Sequence, residues 1–134
     1  MTDLELVNMA RQAVKLAYAP YSKFCVGAAA LGEDGEVYTG CNIENSSYGA
    51  CICAERVAIC KCISGGCRTV RKIAICSTGE GQTFPCGICR QVLSEFCSGD
   101  MAVIVFDGEK SVYNLTLEEL LPYSFELKSD TNPF

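Results

Sequence analysis

Leu4, Val7, Ala10, Val14 and Ala17-Tyr18 recur at mostly helical spacing, which predicts an amphipathic helix over residues 3–18, stopped near Pro20. From Cys25 to Leu31 the chain turns small and apolar. After Glu33-Asp34-Gly35-Glu36 a second run covers Val37–Cys41. Two short runs joined through Asp-Gly predict a β-hairpin. Residues 42–52 are polar, contain Gly49 and read as loop. A second helix is predicted over 53–64, with Ala54, Val57, Ala58 and Ile63 as its apolar positions and Gly65-Gly66 as its stop. Lys72–Ser77 reads as a compact apolar strand and Thr78–Phe84, with two glycines, as loop. A third helix over 86–97 presents Ile88, Val92, Leu93 and Phe96 on one side. Met101–Phe106 is another buried strand, and Asp107-Gly108 turns the chain into a weaker one at 111–115. Thr116-Leu117-Glu118-Glu119 has the form of a capping box for a short helix ending before Pro122. The last residues, about 126–134, read as a polar tail.

Helices thus separate strands that look buried on both faces. That pattern predicts an α/β domain whose mixed sheet is covered by helices. With neither repeat nor linker, 134 residues suit a single domain, 1–134. Hydrophobic residues at 49% against 20% charged exclude a disordered chain. No apolar run reaches membrane-spanning length, and Met1-Thr2-Asp3-Leu4-Glu5 is acidic where a secretory signal would be basic. The expected compartment is the cytoplasm. A net charge of −5 without any basic run argues against a polynucleotide partner, whose binding rests on neutralising phosphates. A small neutral substrate fits better. Eleven cysteines would suggest disulfides in a secreted protein. Here they read as reduced thiols, and most of Cys25, Cys41, Cys51, Cys60, Cys62, Cys67, Cys76 and Cys97 as small buried apolar residues.

The chemistry concentrates in Cys53-Ala54-Glu55 and Pro85-Cys86-Gly87-Ile88-Cys89. Cys86 and Cys89 can grip one metal ion, and Cys53 can complete a three-thiolate site. A metal with three protein ligands keeps one position open for water, and Glu55 can then carry protons to and from that water. Cys53 and Cys86 each open a predicted helix, so two helix N-termini would offset the negative charge of three thiolates around Zn²⁺. Arg56 is placed to donate hydrogen bonds to the same sulfurs. Two other readings stay open at this point. Cys51 could serve as a fourth ligand of a structural site or replace Cys53, since the chain has no histidine. Cys86 and Cys89 could instead form a redox dithiol. Asn42 and Glu44, two apart on an extended segment, point the same way and can grip one polar object together.

Cys-Ala-Glu followed by Pro-Cys-x-x-Cys resembles the zinc-dependent nucleobase deaminases. The likeness is closer to the homotetrameric zinc-dependent cytidine deaminases. It extends through Ala19-Pro20-Tyr21-Ser22-Lys23-Phe24, Gly40-Cys41-Asn42-Ile43-Glu44-Asn45, Pro85–Val92 and Glu119–Phe125, over about residues 10–127. The resemblance implies a three-layer α/β/α fold around a five-stranded mixed sheet. It implies one Zn²⁺ per chain on Cys53, Cys86 and Cys89, with Glu55 as the proton shuttle in hydrolytic deamination of cytidine and 2′-deoxycytidine. Phe24 would pack on the pyrimidine, and the Ala54 N–H would reach the base carbonyl. Asn42 and Glu44 would hold the ribose, and the Phe84 carbonyl would accept from the leaving amino group. Tyr48 and Phe125 would reach into a neighbouring subunit, making each active site of a homotetramer composite. Phe84 departs from the small hydroxyl residue often found before this proline, which puts the shape of the pocket wall in question. A blasticidin-S-type deaminase and a structural zinc module are the alternatives; the acidic surface argues against a polynucleotide editor.

Overall fold

The computed structural model describes residues 1–108 and 112–127. Its centre is a five-stranded sheet: β1 Val26–Gly32, β2 Val37–Cys41, β3 Val70–Ser77, β4 Ala102–Phe106 and β5 Val112–Thr116, in the order β2-β1-β3-β4-β5. Only β3 and β4 run parallel; β1 is antiparallel to both β2 and β3, and β4 to β5. The sheet is therefore mixed, as the element order predicts. The helices are α1 Asp3–Val14, α2 Ala54–Ser64, α3 Gly87–Phe96 and the short α4 Leu117–Leu120.

Three layers follow from the period-2 alternation of the central strands. Ala29, Ala74, Cys76, Ile104 and Phe106 face α1, where they pack with Leu6, Val7 and Ala10. Ala28, Ala30, Ile73, Ile75, Val103 and Val105 face the other way, onto Ala54, Ala58, Ile59 and Leu93 of α2 and α3. Because both faces are covered, the central strands carry no polar side and read as continuous apolar runs.

Helix ends depart from the sequence pattern where non-local contacts intervene. The first helix stops at Val14 rather than 18. Tyr18 is drawn away instead: its N–H donates to the Asn42 carbonyl and its own carbonyl accepts from Glu44, bringing residue 18 beside Ile43. At its start, Thr2 and Glu5 form a reciprocal capping box that the apolar spacing does not reveal. The predicted box at Thr116 and Glu119 is present. The second helix ends as expected: Gly66, at φ +101°, lets the Cys67 N–H reach the Cys62 carbonyl and its own N–H reach that of Ile63, both at 3.1 Å. Within the predicted loop 42–52, Tyr48–Ala50 form one 3-10 turn. Most of the predicted polar tail, and residue 111 of the last strand, lie outside the described residues. The surplus cysteines are a correction: Cys62, Cys67 and Cys76 are buried, Cys25, Cys41, Cys51 and Cys97 only partly so, and Cys60 is exposed on the outer side of α2. No described helix is long and apolar enough to cross a membrane.

Gly40 seats α2 on the sheet. A Cβ there would lie 2.4 Å from the Ala54 carbonyl oxygen and 2.5 Å from the Ala58 nitrogen. Any side chain would push away the first turn of α2, the turn that carries Glu55. Gly40→Ala is expected to cost about 1–3 kcal/mol of stability, as overpacking does. Denaturant unfolding checks it, and an unchanged midpoint would show that the contact between β2 and α2 has slack.

Candidate metal centre and active site

Both metal-ligand candidates on loops sit at helix starts. Cys53 is the N-cap of α2 and Cys86 that of α3, each with extended backbone, and neither uses its side chain to cap its own helix. Their sulfurs are thus free to turn toward each other, and they lie 3.8 Å apart. Cys89, one turn into α3, is fully buried and completes the group: the three Sγ atoms all lie within 4.8 Å of one another. A tetrahedral zinc with Zn–S bonds of about 2.3 Å places its sulfurs about 3.8 Å apart. The donor set is soft, the spacing fits, and no fourth Cys, Asp or Glu joins the cluster among the described residues. Cys51, the rival from the sequence, is engaged elsewhere. Its sulfur accepts from the Asn45 N–H at 3.2 Å and donates to the Asn45 carbonyl at 3.5 Å. A four-thiolate structural site therefore lacks its fourth ligand.

The electrostatics favour a thiolate at Cys53. Cys53 is brought down to about 5, chiefly by the hydrogen bond from Cys89, with burial opposing and Arg56 assisting. Cys89 gives that hydrogen bond and is held above the ordinary thiol range. The two therefore titrate as a pair. Arg56 Nη2 donates to Cys53 Sγ at 3.3 Å, and this bond raises the guanidinium pKa. Arg56 Nε is buried without a hydrogen-bond partner, so the guanidinium has donor capacity left beside the sulfur cluster.

Glu55 is only 4% exposed. Burial pushes its carboxyl up to about 7, with the Cys53 charge adding to the shift. A carboxyl group poised near neutrality can both take and give a proton. It lines a cavity of about 280 Å³ together with Cys53, Cys86, Ala54, Phe24, Phe84, Asn42 and Glu44. Eight of the predicted site residues thus meet in one cavity. Val26, Ile43, Cys51, Ile52 and Thr83 line it too. Apart from Cys51, named above as a rival ligand, spacing does not flag them; Ile43 arrives through isolated pairings with Tyr18 and Ile52 that only the folded chain creates.

Asn42 and Glu44 face the cavity as the two-residue spacing predicts, and each also braces its surroundings. Asn42 Oδ1 accepts the Val26 N–H at 2.9 Å and its Nδ2 donates to the Phe24 carbonyl at 2.7 Å, fixing the backbone under the Phe24 ring. Glu44 accepts from the N–H groups of Tyr21 and Ser22, at 3.0 and 3.1 Å, and from the Ser22 hydroxyl. Those bonds, the Ser22 hydroxyl first, hold its carboxyl below the usual range, so it is an anion at that end of the cavity. Tyr48 and Phe125 are not among the residues lining the cavity. Tyr48 borders an adjoining hollow with Tyr21, Ser22, Glu44, Asn45 and Cys51. Both aromatics are largely exposed, at 83% and 68%.

Comparison with known proteins places this geometry. Residues 1–106 match a family described as the cytidine and deoxycytidylate deaminase zinc-binding region. A cytidine deaminase of Sporosarcina psychrophila is 47% identical over 124 residues, covering 92% of this chain and 91% of that protein. The 1.6 Å crystal structure of cytidine deaminase from Burkholderia pseudomallei superposes with a TM-score of 0.89 at 41% identity, covering 93% of this chain and 100% of that one. A blasticidin-S deaminase of Bacillus cereus is more distant, 28% identical over 131 residues, covering 92% of this chain and 91% of that protein.

Proposed function

This chain belongs to the zinc-binding cytidine and deoxycytidylate deaminase family, and we propose that it hydrolyses cytidine and 2′-deoxycytidine to uridine and 2′-deoxyuridine with release of ammonia, a reaction of pyrimidine salvage. One observation carries the reading: three cysteine sulfurs converge, and two of them, those of Cys53 and Cys86, line a cavity of about 280 Å³ together with a buried glutamate. Cys53, Cys86 and Cys89 hold one Zn²⁺ per chain. Bound there, the ion supplies the Lewis acidity that makes water a nucleophile near neutral pH. Three thiolates leave the centre with a net charge of −1, which the N-termini of α2 and α3 and the Arg56 guanidinium offset.

Glu55 moves the protons. Its carboxylate takes one from the attacking water and delivers it to N3 of cytosine, and it then carries a second, from the new hydroxyl on C4, to the exocyclic nitrogen, which leaves as ammonia as the C4 carbonyl forms. Phe24 packs on the pyrimidine. The Ala54 N–H, at the start of α2 with no intrahelical partner, donates to the base carbonyl. The Phe84 carbonyl accepts from the amino group. Asn42 and Glu44 hold the ribose hydroxyls with acceptor capacity left over from their bracing bonds.

Tyr48 and Phe125 complete a neighbour's site, so the working form is a homotetramer of single-domain chains with composite sites. The exposure of both rings supports this. Eleven unbonded cysteines suit the reducing cytoplasm. Blasticidin S is the second reading, and the sugar-facing pair Asn42 and Glu44 favours the nucleoside.

Zinc analysis and product chromatography test the proposal together. Native protein is expected to carry one zinc per chain and to release uridine and ammonia in equal amounts from cytidine. Faster conversion of blasticidin S than of cytidine would move the assignment to the second reading. Zinc-loaded, folded protein without turnover of either would leave a structural zinc module.

A further inference from the structure

Ser77 ends β3 as one of the two buried polar or charged side chains of the described core, at 8% exposure. Its hydroxyl serves both ends of the loop that follows. It accepts the Gly79 N–H at 3.2 Å and pairs with the Thr83 hydroxyl at 2.5 Å. The loop between is thereby cinched over six residues, so Thr83 and Phe84 stand in the cavity wall.

The other end of the loop presses on Phe24. A Cβ on Gly79 would lie 2.3 Å from Phe24 Cε2 and 3.2 Å from Cζ. The ring therefore rests directly on the Gly79 backbone. Its position is fixed from below by Gly79 and from behind by the Asn42 bond to its carbonyl. Thr78 secures the same junction: its N–H donates to the Cys25 carbonyl at 2.9 Å and its hydroxyl accepts the Cys25 N–H at 3.1 Å.

We propose that Ser77 is a positioning residue for the base-binding end of the cavity, setting the Phe24 ring through Gly79 and the opposite end of the loop, with Phe84, through Thr83. This rests on the reading that the cavity takes a cytosine nucleoside. Ser77 touches no reacting atom; it determines where the apolar walls stand. Releasing the loop or lifting the ring weakens binding of substrate and transition state alike, which raises KM and leaves kcat nearly unchanged.

The test combines steady-state kinetics on cytidine with ¹⁹F NMR of protein labelled with 4-fluorophenylalanine, the Phe24 line being assigned by its loss in Phe24→Leu. Ser77→Ala and Gly79→Ala are each expected to shift or broaden the Phe24 resonance. Each should raise KM about three- to tenfold, the worth of one good hydrogen bond, with kcat and zinc per chain retained. In the Phe24→Leu background the two atoms nearest the new methyl are gone, so Gly79→Ala should add little further rise. An unmoved Phe24 resonance in both variants overturns the proposal, as does an equal Gly79→Ala penalty with and without the Phe24 ring. Should Ser77→Ala fail to fold, Gly79→Ala, on a partly exposed loop, carries the test by itself. A native protein that leaves cytidine untouched while the resonance moves as expected would overturn the deaminase reading and uphold the coupling of the loop to Phe24.

Discussion

Glu55→Gln is expected to lower kcat for cytidine by about 10²–10⁴-fold, the range that one positioned acid–base group contributes, while the protein keeps its zinc and its fold. Glutamine has nearly the same shape and is neutral, so it occupies the same place at the start of α2 without being able to carry a proton. The wild-type carboxyl is 4% exposed and already resists ionisation, its pKa pushed up to about 7 by burial. Removing its charge therefore relieves a desolvation cost, and thermal unfolding should shift upward or stay unchanged. That combination distinguishes loss of chemistry from loss of structure. Metal analysis, a melting curve and kcat on one preparation read it out. Turnover within tenfold of native would remove Glu55 from the mechanism and leave water or another group as the proton carrier.

The same residue shows how far a sequence reaches toward its site. Glu55 was legible because its chemistry is local: two residues from a cysteine, on a turn that the apolar spacing already made helical. The existence of all five strands was legible too: burial on both faces writes an apolar run into β1, β3 and β4, and the Asp-Gly turns at 34–35 and 107–108 mark the less buried β2 and β5 beside them. What the sequence did not carry is contact between distant segments. Tyr18 leaves the first helix because Asn42 and Glu44 offer its backbone better partners, and no local rule anticipates that. Asn42 and Glu44 were legible as a pair facing one object, but not as braces for Phe24 and for the turn at Tyr21-Ser22. Ser77 and Gly79 were silent altogether, because their roles exist only once a ring from residue 24 lies across them. The eight surplus cysteines show the opposite error: apolar character alone suggested burial, yet Cys60 falls on the solvent side of a helix.

Contact between distant segments is also what the metal centre turns into stability, and Cys89→Ala should expose it. Cys89 shares α3 with Cys86, while Cys53 belongs to α2, so one ion would clamp the starts of the two helices together. Apparent binding energies of structural zinc sites run to about 10–16 kcal/mol, and removing one of only three protein ligands should lower zinc affinity by more than about 10³-fold. The variant is expected to lose its zinc on dialysis against a mild chelator, to lose turnover with it, and to unfold at a temperature that no longer rises with added zinc. Cys51→Ala is the paired measurement. Its sulfur is committed to the Asn45 backbone, so this variant should retain zinc through the same dialysis. Retention by Cys89→Ala together with loss by Cys51→Ala would place Cys51 in the coordination sphere and reverse the ligand assignment. The opposite result would confine the metal to the two helix starts, where Arg56 and the first-turn N–H groups temper three negative sulfurs enough for the ion to act on water.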